Sequence, residues 1–210
     1  CGDGRYSLEI LKSFKNCYLH CIDYNENMIK YLERYLTENK FTNFCARSGD
    51  ANKLPLENDS MDCIMTFNAI HHFDLEKFLS EVYGSLKDDG RLFIYTRLRN
   101  QNHRSVWGEH FPLFADMENR LYELNELEEY VQNAEMDIKS LRVFGHARTS
   151  TLDRLVHQAK NNHYSTFALY DKKTFDESLD IFQKNIQKNF NDLEQITWHD
   201  ENILLEIEKY

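Results

Sequence analysis

The stretch CGDGRYSLEILKSFKNCYLHCID, residues 1–23, decides how the rest of the chain is read. Two glycines bracket Asp3. An amphipathic run follows at once, with Leu8, Leu11 and Phe14 spaced for one helix face. A short apolar run then ends at Asp23, 19 residues after Gly4. A glycine loop opening a helix lets backbone approach a ligand, and the helix N-terminus favours an anionic group. A carboxylate ending the next strand suits the two hydroxyls of a ribose. Each feature also has a plainer reading, as a turn or a capping residue.

Working outward, NENMIKYLERYLTEN (25–39) reads as a helix capped by Asn25, with Met28, Ile29, Leu32, Tyr35 and Leu36 inward. TNFCAR (42–47) and MDCIMTFNA (61–69) read as strands around the loop GDANKLPLEND. A helix over 74–87, a turn at Asp89–Gly90 and a strand RLFIYTR (91–97) follow. Strand–helix alternation with apolar strands predicts an α/β, doubly wound, mostly parallel sheet. Beyond Arg97 the segment LRNQNHRSVWGEHFPLF mixes basic, polar and aromatic residues without a clean period. A helix (123–134), a strand (137–147), helices within 151–193 and a terminal strand NILLEIEKY complete the pattern. The expected partition is a core over 1–150, a helical insertion or lid over 151–195, and a terminal antiparallel strand over 196–210. Within the insertion, HYSTFALYDKKTF (163–175) reads as an aromatic lid or as a small core of its own, with Phe167, Leu169 and Phe175 inward.

Composition narrows the function. A formal net charge of −10 disfavours binding through nucleic-acid phosphates, leaving only a local patch for that role. The five cysteines form no CxxC pair, and Cys21, Cys45 and Cys63 lie in or beside apolar runs, so neither a metal site nor a disulfide framework is expected. Reduced thiols fit a cytoplasmic protein. No apolar run reaches the ~18 residues of a membrane span. Nothing in the motifs addresses oligomeric state.

The glycine loop, Asp23, the Gly49–Asp50 pair before Leu54–Pro55, and NAIHHF (68–73) occur in an order that resembles class I S-adenosylmethionine-dependent methyltransferases, of the branch that includes ubiquinone-biosynthesis-type enzymes. CGDGRYS resembles the end of that family's first motif and CIDYNENMI its second. SGDANKLPLENDSMDCIMTFNAIHHF is similar to the third and fourth together, and SLKDDGRLFIYT to the segment of the fifth strand. The resemblance implies a Rossmann-like, seven-stranded sheet of order 3-2-1-4-5-7-6, whose first strand, acidic residue and first glycine lie before residue 1.

It further implies S-adenosylmethionine as cofactor, with S-adenosylhomocysteine as product. Gly2 and Gly4 would line the methionine part, and Asp23 would hold the ribose, with Tyr24 and Met28 beside ribose and adenine. Asp50 and Ala51 would meet the adenine, and Asn68 would lie beneath the sulfonium. For a general base, His71 and His72 are the first candidates, since imidazole titrates near neutrality; both could equally cap or pack. His110 and His146 are weaker ones. Arg97, Arg99, Trp107 and His110, with Arg104 and Phe111, suit a planar or anionic acceptor. The expected function is methyl transfer to an O, N or S nucleophile of a small molecule. The alternatives are a tRNA- or protein-directed methyltransferase and a non-catalytic cofactor-binding regulator.

Overall fold

The computed structural model of the protein describes residues 1–209. The chain divides into two compact units. The first holds residues 1–94, 130–139 and the segment from Glu206 onward; the second holds residues 95–129 and 140–205. This division cuts across the partition expected from sequence.

In the first unit the glycine loop leads into helix α1 (Arg5–Ser13), then strand β1 (Leu19–Asp23), helix α2 (Glu26–Glu38) and strand β2 (Phe44–Ser48). The Asn25 side chain accepts from the Asn27 amide and so caps α2. The apolar period of both helices closes a small core of Leu8, Leu11, Cys21, Leu32 and Leu36. Two expected core positions lie outside it: Phe14 is 58% exposed and Met28 41% exposed. Phe14 already has extended backbone at the α1 C-cap, so its side chain leaves the helical face. β1 and β2 pair in parallel, Leu19 opposite Phe44 through Asp23 opposite Ser48.

Strand β3 (Met61–Phe67) is followed by a one-turn 3-10 helix (Ile70–His72), helix α3 (Leu75–Ser85) and strand β4 (Leu86–Thr96). The turn expected at Asp89–Gly90 lies inside β4. Gly90 suits that place because a Cβ there would lie 3.0 Å from the Met61 carbonyl oxygen and 2.9 Å from that of Lys87. Cys63, expected to be buried, is exposed on β3, and all five thiols are free.

The second unit contains the short helices α4 (Arg99–His103), α5 (Val106–His110) and α6 (Phe114–Met117), and most of helix α7 (Leu124–Asn133). It also contains most of strand β5 (Met136–Ser150), helices α8 (Leu152–Lys160) and α9 (Lys172–Asn189), and most of strand β6 (Ile196–Lys209). Its core is aromatic: Trp107 stacks on Phe182 at 5.0 Å and meets Phe167 edge-on at 5.1 Å, with Phe111 and Phe114 alongside.

The strands form a two-stranded sheet, β1-β2, and a four-stranded mixed sheet of order β3-β4-β6-β5. A single seven-stranded, mostly parallel sheet is thus not what the described residues make. Hydrogen bonding is the reason: among them, no strand pairs with both β1 and β3. Within each sheet the neighbours are those expected on either side of the first strand. The class, a Rossmann-like α/β fold, holds. No described helix is long and apolar enough to cross a membrane.

Candidate functional site

In the first unit the polar residues singled out at the strand ends are knitted together by hydrogen bonds. Gly2 and Gly4 both have positive φ, +58° and +86°, which glycine adopts without strain. Their surroundings differ. A Cβ on Gly2 would meet nothing within 4 Å, whereas one on Gly4 would lie 3.0 Å from Leu32 Cγ. Gly4 is therefore demanded by packing of the loop onto α2, while Gly2 presents open backbone.

The Gly2 amide donates to Asp23 Oδ2 at 2.7 Å, and the Cys1 nitrogen donates to the same oxygen at 3.0 Å. Asp23 Oδ1 accepts from the Asn25 amide at 3.0 Å. Burial alone would raise the Asp23 carboxyl, but the Asn25 and Gly2 amides and the Cys1 nitrogen outweigh it and hold the group below its ordinary range. The Asp23 carbonyl in turn accepts from the Gly49 amide at 3.0 Å, which ties the end of β1 to the loop after β2.

That loop is fixed by Gly49, where a Cβ would lie 2.9 Å from Ile22 Cγ2 and 3.1 Å from Pro55. Asp50 accepts from the Asn52 amide at 2.9 Å, an Asx turn that exposes the carboxylate beside Ala51. Asn52 Oδ1 accepts from the Asp74 amide at 3.0 Å. This bond joins the Asp50 loop to the segment that carries His71 and His72. Asn68 ends β3 in the left-handed region at φ +49°, which Asn tolerates better than most residues. The rings of His71 and His72 lie 4.0 Å apart, tilted by 46°.

The structure thus links Gly2, Asp23 and the Gly49–Asn52 loop to Asp74, with His71 and His72 two to three residues before Asp74 in the chain. Tyr24 and Met28 flank Asp23, 82% and 41% exposed, leaving apolar surface beside a carboxylate. Sequence reasoning missed Tyr6. Its ring stacks on Phe67 at 4.2 Å, within 6° of parallel, and so links the glycine loop to the end of β3. Its place two residues after Gly4 was the available signal.

The residues expected to contact an acceptor lie in the second unit and divide sharply. Trp107 is 1% exposed at the centre of the aromatic core, so its place is explained by packing. Tyr164, Phe167, Tyr170 and Phe175 of the expected lid join the same core, whereas Leu169, expected inward, is 42% exposed. Arg99 pairs with Glu126 at 3.0 Å and with Glu123 at 3.8 Å, and Arg104 pairs with Glu201. His110 packs edge-on to Phe190 at 5.5 Å. Burial lowers its pKa, with Glu109 opposing weakly, so it stays neutral near pH 7. Arg97 pairs with Asp200 at 2.9 Å, a partner 103 residues away.

A Rossmann-like sheet whose strand ends hold a glycine loop and ordered carboxylates defines a nucleotide-type binding fold. Comparison with known proteins narrows the class. The profile of the family described as "Methyltransferase domain" matches residues 1–94. An uncharacterized methyltransferase-like protein of Schizosaccharomyces pombe is 28% identical over 99 residues, 47% of this chain and 36% of that protein. The chain therefore spans about a third of this curated relative's length. Among solved structures, the YcgJ protein from Bacillus subtilis superposes with a TM-score of 0.68 at 17% identity, over 99% of this chain and 88% of that one. Geranyl diphosphate methyltransferase, solved with S-adenosylmethionine, gives 0.61 at 12% identity, over 100% and 75%. The match of the methyltransferase-domain profile to residues 1–94 agrees with the resemblance to class I S-adenosylmethionine-dependent methyltransferases read from the motifs.

Proposed function

We propose that the chain is an S-adenosylmethionine-dependent methyltransferase acting on an O, N or S nucleophile of a small molecule. The observation that carries this reading is the hydrogen-bonded series from Gly2 through Asp23, Gly49, Asp50 and Asn52 to Asp74. A carboxylate, an open glycine backbone and exposed apolar side chains in this series support a nucleoside with a charged tail as the ligand.

When bound, the cofactor supplies an electrophilic methyl group on a sulfonium. The chain's residues bind and orient. Gly2 gives close backbone approach, with Gly4 holding the loop in place, and Asp23 accepts from the ribose hydroxyls through Oδ1 and Oδ2. Tyr24 and Met28 cover ribose and adenine. Asp50 accepts from the adenine amino group beside the Ala51 backbone, and Asn68 terminates β3 near the reacting end. Methyl transfer depends chiefly on alignment and exclusion of water, so a base is required only for an acceptor that must lose a proton. His71 and His72 are the groups we assign to take that proton.

Arg97, Arg99 and His110 remain the proposed acceptor-side residues, whereas the core role of Trp107 suffices to explain it. The five free thiols support a reducing compartment such as the cytoplasm. The acidic net charge favours a small acceptor over tRNA. Incubation with methyl-labelled cofactor and parallel sets of small acids, amines and thiols, bulk tRNA, and protein tests the reading. Label should appear in a small-molecule set. Label only in tRNA or protein would overturn the acceptor assignment, and label in none would favour a non-catalytic cofactor-binding role.

A further inference from the structure

We infer that Arg97 and Arg148, held by Asp200, form a binding site for an oxyanion, a carboxylate or phosphate group carried by a small molecule. This deepens the proposed function: the methyltransferase reading identifies the molecule as the acceptor, but the site itself stands on its own geometry.

Asp200 lies on β6, the strand between β4 and β5. Arg97 directly follows β4, and Arg148 lies near the end of β5. The two guanidiniums therefore approach one carboxylate from opposite sides, Arg97 at 2.9 Å from Oδ1 and Arg148 at 3.3 Å from Oδ2. The Trp198 indole N–H also donates to Oδ1, at 3.2 Å.

Asp200 is 5% exposed, accepts hydrogen bonds from Arg148 and Trp198, and is ion-paired with Arg97. Among the described residues, it is the one carboxylate paired with either arginine. Two positive charges thus share a single negative one, and a partly buried cluster keeps an excess of one positive charge in a chain of net −10. The Tyr164 hydroxyl lies within the field of all three ionised groups; burial raises its pKa most, Arg97 and Arg148 oppose this and Asp200 adds to it, so the group stays protonated and able to donate.

A guanidinium presents five N–H donors in a planar fork suited to two oxygens at once. Each arginine spends part of that fork on Asp200. Arg97 is 12% exposed, so few waters reach its remaining donors, while Arg148 is 56% exposed and gives the site an open side. An oxyanion bridging the two would neutralise the excess charge and occupy donors that Asp200 leaves over. Trp198 and Tyr164 supply flat apolar surface for the body of the molecule. The cluster thus holds one nearly dehydrated guanidinium and one that faces water, with a single acid between them.

The test uses the full chain, with inorganic phosphate and benzoate as probes, followed by the NMR signals of the Trp198 indole N–H and the Arg148 side chain. Both signals should shift saturably. Arg148→Gln, at an exposed position that tolerates change, should weaken binding roughly tenfold, the scale of one charge-assisted hydrogen bond. Asp200→Asn should unfold at lower temperature in anion-free buffer and regain its melting temperature on adding the tighter probe. The tighter probe also distinguishes a carboxylate from a phosphate head group. Absence of a saturable shift, or unchanged affinity in Arg148→Gln, would overturn the inference. Binding of S-adenosylhomocysteine by the same samples separates the two readings. Cofactor bound without anion sinks this site alone; anion bound without cofactor sinks the methyltransferase reading and leaves the site standing.

Discussion

The strand ends of the first unit and the Arg-rich segment of the second both hold carboxylates, but by different means. Asp23, Asp50 and Asp74 accept from backbone amides within three residues of themselves, Asp23 also from Gly2. Asp200, Glu126 and Glu201 accept from arginines 27 to 103 residues away. Carboxylates ordered by backbone amides keep lone pairs and a fixed orientation for a ligand, because a backbone cannot swing away. Carboxylates ordered by arginines occupy donors that sequence inspection would assign to substrate, one acid for Arg104 but a single shared acid for Arg97 and Arg148. The difference teaches where to look for function. An acid beside a glycine or an Asx turn is a better site candidate than a cluster of arginines whose acidic partners have not been found.

Five substitutions sharpen or break this comparison. The largest effect belongs to Trp107→Ala. It empties the centre of the aromatic core and should cost about 3–5 kcal/mol in denaturant unfolding. An unchanged unfolding midpoint with a raised KM would return Trp107 to the acceptor site. Next comes Asp23→Ala, which would remove the proposed charge-assisted bonds to the ribose. Affinity for S-adenosylhomocysteine should drop roughly 100-fold by calorimetry. Because the Asp23 carboxyl is held low, wild-type affinity should stay flat as pH falls through the ordinary Asp value and decline only below it, where the carboxylate finally takes up a proton.

The glycines differ more subtly. Gly4→Ala combines a positive φ with a 3.0 Å approach to Leu32 and should destabilise by about 1–3 kcal/mol. Gly2→Ala, facing open space, should cost about 1 kcal/mol of stability yet weaken cofactor binding more than Gly4→Ala does. Equal stability losses at both glycines would contradict the packing role given to Gly4. The smallest effect is expected at His110. Its folded pKa is lowered, so its contribution is present above the unfolded value of about 6.5 and is lost as pH falls through the folded one. Wild type should therefore lose stability relative to His110→Gln between pH 7 and pH 5. Parallel pH profiles for the two proteins would show that burial of this ring is not what shifts it.

Much of the first unit was legible because its determinants are local. The spacing of Leu32 and Leu36 marks the buried face of α2, Asn25 marks its cap, and Gly–Asp pairs mark turns. Met28 was misread as inward because periodicity alone cannot distinguish the rim of a helix face beside Asp23 from its centre. The strand starting at Leu86 was hidden behind Asp89–Gly90, a pair that usually turns the chain but here allows close approach of β3. In the second unit, neither the Arg97–Asp200 contact nor the enclosure of Trp107 by Phe167 and Phe182 leaves any local trace. Both depend on residues 60 to 103 positions apart meeting in the fold.

The central claim is that the amide-ordered carboxylates of residues 1–94 hold S-adenosylmethionine. Calorimetric titration of the full chain with S-adenosylhomocysteine tests it most directly. The account predicts one saturable site with micromolar affinity, lost in Asp23→Ala while the protein remains folded. Absence of binding by the folded wild-type chain, or equal affinity in the variant, would contradict it.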